Sequence, residues 1–288
     1  MAHVQFGWNS PVIGVPESGG QPIVMQELDQ VLPIVAQHFD TVWTADHFYG
    51  FDRIDDPYLE CWTTLTWLAA TFPQLKVGGL VMCNNYRHPT LVAHMGKTLQ
   101  AFSGGRLILG IGAGWRAEEY ARHGLTFDPP AARIRQLGEA IRLIRAMWTE
   151  PRTTFTGTYY QVKDLPCEPK PDPIPPIMIG GGGEKLMLRL VAELADWWDC
   201  GGTPEAYAHK LDVLRKHCED VGRDSATIVK STQIEVPAPA DAAASRELIA
   251  KLQPYIDLGI THMILDCGVV TDPERVQRLG EDVLARFR

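Results

Sequence analysis

Lys76-Val77-Gly78-Gly79-Leu80-Val81-Met82-Cys83, then Pro89 through Phe102, then Arg106-Leu107-Ile108-Leu109-Gly110-Ile111, is the stretch whose reading decides the fold. The first and third runs are short and apolar. The middle run is long, and Pro89 suits the first turn of a helix. Two strand patterns separated by a helix pattern describe a parallel β-α-β unit, because parallel neighbours need a long crossover.

The same alternation extends in both directions. Strands are predicted over 3–8, 41–45, 76–83, 106–111, 176–179, 197–200, 227–236 and 262–267. Helical stretches follow over 24–38, 58–71, 89–102, 131–148, 184–195, 204–220, 242–258 and 273–287. Within them Val24, Leu28, Val31, Leu32 and Val35 recur at helical spacing, as do Ile134, Leu137, Ile141 and Ile144. Trp62, Trp67 and Trp148 lie in helical patterns and are expected in the core. Eight such units fit a closed (β/α)8 barrel over residues 1–288, with its active site at the C-terminal strand ends. A doubly wound open sheet also alternates, but it rarely needs eight units. The Pro-rich segment 150–176 cannot be a packed helix and reads as an excursion over the barrel rim, with a small hairpin over 154–162 turning at Gly157.

Composition narrows the function. The chain has 288 residues, 45% hydrophobic and 22% charged, enough for a full core. A net charge of −8, from 27 basic and 35 acidic residues without basic blocks, argues against a nucleic-acid binder. Six scattered cysteines form no C-x-x-C pair and read as reduced thiols in a cytoplasmic protein without a signal peptide. No apolar run is long enough to span a bilayer.

Four stretches at strand ends can carry chemistry. Asp46-His47 follows the second strand: histidine titrates near neutrality and can shuttle a proton, and Asp46 can orient the imidazole or cap a turn. Gly78-Gly79-Leu80-Val81-Met82-Cys83-Asn84-Asn85 suggests a bulge or a close backbone approach, then asparagines able to read the edge of a heterocycle. Gly110-Ile111-Gly112-Ala113-Gly114-Trp115 resembles a dinucleotide fingerprint but fails it, since Trp115 stands where the third glycine belongs; it admits a flat ring on which Trp115 can stack, or it is a tight turn beside a core tryptophan. Gly180-Gly181-Gly182-Gly183 ends the fifth strand before a helix. Backbone amides there favour a phosphate, with Lys185 as a possible counter-charge. Cys83 is expected to be a buried, inert thiol. No zinc-protease motif, nucleophile elbow or P-loop occurs, so no metal site is expected.

With these stretches in order, joined by Tyr86-Arg87-His88-Pro89, Ser103-Gly104-Gly105-Arg106-Leu107, Thr154-Phe155-Thr156-Gly157-Thr158-Tyr159-Tyr160 and Pro169-Lys170-Pro171, the chain resembles the luciferase-like monooxygenase superfamily over nearly its whole length. It looks most similar to the branch that uses the deazaflavin coenzyme F420. The resemblance implies hydride transfer between F420 and a small organic substrate. Position by position, it implies catalytic roles for His47 and Asp46, with His47 the favoured proton donor. It implies a bulge at Leu80-Val81, often a non-proline cis peptide, backing the ring, with Cys83 and Asn84 at the ring's edge. Gly112, Gly114 and Trp115 would lie along the cofactor, and Gly180, Gly181, Gly182 and Gly183 would hold its phosphate, with Gly201 nearby. The alternative is a flavin mononucleotide (FMN)-dependent monooxygenase served by a separate reductase. A barrel that binds a phosphorylated ligand without redox turnover is a third reading, and an NAD-dependent dehydrogenase is disfavoured by the failed fingerprint. A homodimer without nucleic-acid or membrane partners is implied.

The chain departs from the pattern twice. Trp115 stands where sugar-phosphate dehydrogenases of the F420 branch carry a catalytic Glu, which argues against that reaction. The region 236–258 is short for the superfamily, implying a smaller lid and a more open pocket.

Overall fold

The computed structural model describes residues 4–11, 28–51 and 54–288. The strands are β1 (Gln5–Asn9), β2 (Thr41–Thr44), β3 (Lys76–Gly79), β4 (Met82–Cys83), β5 (Leu107–Gly112), β6 (Thr153–Thr156), β7 (Gln161–Leu165), β8 (Ile177–Gly180), β9 (Trp197–Asp199), β10 (Val229–Glu235) and β11 (His262–Asp266). All except β6 and β7 belong to one sheet, in the order β3-β2-β1-β11-β10-β9-β8-β5-β4, and β3 also pairs with β5. That last pairing closes the sheet. β3 and β4 occupy one position in the ring, interrupted at Leu80-Val81, so the result is an eight-position parallel (β/α)8 barrel.

The helices are α1 (Leu32–His38), α2 (Cys61–Thr71), α3 (Pro89–Ser103), α4 (Ala117–Arg122), α5 (Pro130–Thr149), α6 (Met187–Leu194), α7 (Pro204–Asp220), α8 (Ala242–Asp257) and α9 (Pro273–Arg278). Pro89, Pro130, Pro204 and Pro273 each occupy a first turn, where a missing N–H costs nothing. Thr203, Asp241 and Asp272 cap their helices with side-chain oxygens.

Side-chain alternation sorts the strands between two cores. Val42, Ile177, Ile179, Met263 and Leu265 point outward into the large layer between sheet and helices. Their neighbours Trp43, Met178 and Ile264 point inward and, with Ile108 and Trp197, fill the barrel. Leu80 and Val81 lie against this inner plug.

A buried polar chain also crosses the barrel. Trp43 Nε1 donates to Thr41 Oγ1 at 2.7 Å, Thr41 Oγ1 lies 2.9 Å from His262 Nε2, His262 Nδ1 lies 2.8 Å from Ser231 Oγ, and Ser231 Oγ donates to Asp199 at 2.9 Å. Because Ser231 donates onward, His262 Nδ1 carries the hydrogen and Nε2 accepts from Thr41, so the ring is neutral. Burial pushes the His262 imidazole down to about 3 and the Asp199 carboxyl up to about 6. Between the usual histidine range and about 3, the unfolded chain takes a proton at His262 that the folded protein refuses, so stability falls as the pH falls. Asp199 works in the opposite sense below about 6, since its folded carboxyl protonates before the unfolded one, and offsets part of that loss. Urea midpoints of the wild type and His262→Gln between about pH 7 and about pH 4 test this. The variant should lose a slope of at most about 1.4 kcal/mol per pH unit, and identical slopes would refute it.

Most element boundaries agree with the sequence within a few residues; four expectations do not hold as stated. The helix expected from residue 58 begins at Cys61, because Glu60 caps it through Trp62 N and Thr63 N. The helix expected from Glu184 begins at Met187, because the glycine loop and Glu184 form a turn first. The closing helix ends at Arg278 and continues as a π turn (Leu279–Val283) and a short 3-10 turn (Leu284–Arg286). Trp67 is 39% exposed, on the outer side of α2, while Trp148 is buried and donates to Ala93 O at 3.0 Å. His3 and residues 24–27 of the first expected strand and helix lie outside the described residues.

The proline-rich excursion carries the hairpin β6–β7, turning at Gly157. Glu139 of α5 accepts from the amides of Thr158, Tyr159 and Tyr160 and pins that turn down. Among the described residues no helix is long and apolar enough to cross a membrane.

Candidate active site at the C-terminal rim of the barrel

The loop after β2 brings Asp46 and His47 to the rim, as expected, but gives them separate tasks. Asp46 is 2% exposed, and Arg87 grips both its oxygens at 2.8 and 2.9 Å. Its Oδ2 also accepts from Cys83 N at 2.8 Å. Arg87 continues to Glu60 at 2.5 Å. Asp46 therefore ties the β2 loop to the end of β4 and does not orient the imidazole. Its two oxygens are already engaged, which corrects the sequence reading of its role.

His47 Nδ1 lies instead 2.7 Å from Glu119 Oε2 on α4. The imidazole is ringed edge-on by Phe51, Trp115 and Tyr58, with centroids at 4.9, 5.7 and 6.5 Å. Arg116 holds this loop from behind, donating to Tyr49 O and Gly50 O at 3.0 and 2.8 Å with its guanidinium over the Tyr49 ring.

Trp115 is 65% exposed, so it is not a core tryptophan; it stacks on Phe51, itself 49% exposed, with ring planes 17° apart. Two large aromatic faces thus stand in solvent beside His47.

The third strand position breaks where the sequence suggests a bulge. Leu80 and Val81 interrupt the ladder between β3 and β4, and the peptide between them is cis. Gly112 and Gly180, at the ends of β5 and β8, face Val81. A Cβ on Gly112 would lie 2.7 Å from Val81 Cγ2, and one on Gly180 would lie 2.8 Å from both its methyls. Only glycine at these positions lets Val81 lie across the barrel mouth. The half-buried Leu80 and Val81 form an apolar platform above the inner plug, a shape suited to one face of a flat ring. Gly114 has φ 72°, and a Cβ there would lie 2.1 Å from Tyr120 OH.

Cys83 is buried, 3.0 Å from Tyr120 OH, and burial pushes its thiol up to about 11, in keeping with an inert thiol. Asn84 is buried; its amide donates to Tyr160 OH at 3.1 Å, joining the rim to the hairpin.

The glycine loop sits between β8 and α6. Gly181 N bonds Asp199 O, and Trp198 Nε1 donates to Gly181 O at 2.9 Å. Lys185, the expected counter-charge, is exposed, and among the described residues it makes no hydrogen bond or ion pair with the loop. The cation there is Lys210 of α7, whose Cε would lie 3.7 Å from a Cβ on Gly182, and whose Nζ lies 2.6 Å from Glu184. Gly201 is exposed and has nothing within 4 Å of an added Cβ, so no close approach requires glycine there.

Glu119 and Lys210 escaped sequence reasoning. The only local hint for Glu119 is an acidic pair, Glu118-Glu119, just past the Gly110–Trp115 turn; nothing local marks Lys210. Among the described residues no group of His, Cys, Asp or Glu could hold a metal ion.

This rim has a family. A sequence model of the luciferase-like monooxygenases matches residues 17–280. The chain belongs to the luciferase-like monooxygenase family. An F420-dependent glucose-6-phosphate dehydrogenase of Kineococcus radiotolerans is 32% identical over 215 residues, 73% of this chain and 63% of that protein. The match thus spans under two thirds of that relative's length. A second, from Intrasporangium calvum, is 34% identical over 259 residues, 85% of this chain and 73% of the relative. Among solved structures, an F420-dependent secondary alcohol dehydrogenase in complex with an F420-acetone adduct superimposes with a TM-score of 0.85 at 18% identity, covering 98% of this chain and 99% of that one. At that identity it shows that this luciferase-like chain shares the fold.

Proposed function

We propose that this chain is a coenzyme F420-dependent oxidoreductase that transfers a hydride between the deazaflavin and a small organic substrate. The observation that carries this reading is the platform of Leu80 and Val81, cleared by the side-chain-free Gly112 and Gly180, with His47 on the same rim. The F420-dependent relatives support the choice of cofactor. Bound there, the deazaflavin supplies the hydride carrier, and the protein supplies orientation and electrostatics.

The remaining roles belong to the chain. Leu80 and Val81 back the ring. Cys83, Asn84, Gly112, Gly114 and Trp115 form its margin. The loop of Gly180, Gly181, Gly182 and Gly183 holds the phosphate, with Gly201 at its outer side and Lys210 as the nearby cation. His47 gives or takes the accompanying proton at Nε2. The exposed Phe51 and Trp115 favour a substrate with an apolar face, and Trp115 in place of a glutamate points away from a sugar phosphate. On this reading the enzyme is a cytoplasmic homodimer; the buried thiols of Cys61, Cys83, Cys167, Cys200 and Cys218 suit a reducing compartment.

Titration of the purified protein with coenzyme F420, and separately with FMN, followed by tryptophan fluorescence, tests the reading. Tight binding of F420 alone is expected, followed by turnover in a panel of secondary alcohols, imines and enones. Tight binding of FMN alone would replace it with a flavin monooxygenase that consumes oxygen. Binding of neither would overturn it.

The phosphate assignment has its own test. Lys210→Ala is expected to weaken F420 binding about tenfold, the loss of one charge-assisted contact, and the difference should shrink in high salt. Unchanged affinity at low salt would remove Lys210 from the site.

A further inference from the structure

Glu119 is unusual in its surroundings. Its side chain is fully buried, yet each carboxylate oxygen is engaged. Oε1 accepts from Phe48 N at 2.7 Å, with Arg116 Nη1 3.8 Å away. Oε2 accepts from Tyr86 OH at 2.5 Å and lies 2.7 Å from His47 Nδ1. Burial alone would push this carboxyl up. The hydrogen bonds from His47, Tyr86 and Phe48 outweigh it and hold the group below its ordinary value, so it is a carboxylate.

A carboxylate has no hydrogen to give. The hydrogen between Glu119 and His47 therefore sits on Nδ1, whether the ring is neutral or cationic, and the proton that comes and goes does so at Nε2. Among the described residues no other polar partner lies within hydrogen-bond distance of the imidazole; its further neighbours are the edge-on rings of Phe51, Trp115 and Tyr58.

We infer that Glu119 is a positioning residue that fixes the tautomer and plane of His47, so that proton exchange occurs at Nε2 in the hydride-transfer site. This rests on the reading of His47 as the proton carrier. A carboxylate whose sole business was to tie α4 to the loop after β2 would be satisfied by Phe48 N and Tyr86 OH. The third bond goes to the His47 imidazole and settles which of its nitrogens stays free.

Two measurements test the inference. The first is nitrogen-15 NMR of the histidine side chains in the full chain without cofactor, at a pH where the imidazoles are neutral, with the His47 signals identified by their absence in His47→Ala. The expected wild-type spectrum has hydrogen on Nδ1 and a free Nε2; in Glu119→Gln the tautomers mix or invert. A wild-type imidazole with its hydrogen on Nε2 overturns the inference, and this result stands even if Glu119→Gln does not fold. The second is a double-mutant cycle on turnover with F420. Glu119→Gln is expected to lower kcat by about ten- to a hundredfold in the wild type and by less than about twofold in His47→Ala. Equal losses in both backgrounds would mean a structural role only. If F420 does not bind, the cofactor reading fails, and the tautomer result still decides the part played by Glu119.

Discussion

His47→Ala is expected to lower kcat by about 10²- to 10⁴-fold while changing the Kd for F420 by less than about threefold, the range spanned by loss of a positioned acid–base group. The split follows from where the side chain stands. The imidazole is on the loop after β2, turned toward the exposed faces of Phe51 and Trp115, and only 13% of its side chain is accessible. The platform and the glycine loop are built from other elements, β3, β4, β5 and β8. Removing the imidazole takes away a proton path and leaves the surfaces assigned to binding in place. Fluorescence titration gives the Kd, and steady-state turnover of whichever substrate of the panel reacts gives kcat. A kcat within about twofold of the wild type would remove His47 from the chemistry. A loss of affinity as large as the loss of rate would make it a binding residue instead.

Arg87→Ala is expected to destabilise the fold by about 3–5 kcal/mol, the cost of leaving a buried carboxylate without its partner. The side chain of Arg87 is 11% exposed and that of Asp46 1%, and the two-pronged contact cannot be replaced by water without opening the rim. The same guanidinium reaches Glu60, the cap of α2, so one residue fastens the β2 loop, the end of β4 and the start of α2. Arg87→Lys should recover only part of the loss, since an ammonium is a point charge and cannot span both oxygens. Urea denaturation of the three proteins reads the difference. A change of less than about 1 kcal/mol for Arg87→Ala would mean that the pair is worth no more than a surface ion pair.

These two residues also illustrate what a linear reading can see. His47 is legible because it follows a strand pattern, and a barrel places the residue after a strand at the catalytic rim. The four consecutive glycines before a helix are legible for a similar local reason. Asp46 adjoins His47 and by its sequence can either orient the imidazole or cap a turn, but sequence adjacency is a poor guide where the chain turns. The two side chains diverge, Asp46 to Arg87 and His47 to Glu119. Lys185 misleads in the same way: it adjoins the glycine loop in sequence, while the cation beside the loop in space comes from α7.

By itself, the sequence determined the alternation of eight strand and helix units and the rim position of His47. Each depends on periodicity or backbone permissiveness within a few residues, and such local constraints are written in the order of side chains. Only the tertiary structure decided which groups meet at the rim. Glu119 reaches His47 across 72 positions, Arg87 reaches Asp46 across 41, and Lys210 reaches Glu184 across 26. Those meetings arise when β3 pairs with β5 and the sheet becomes a ring, which brings successive strand ends around one mouth. A buried carboxylate is stable only where donors converge on it, and that convergence is a property of the closed barrel.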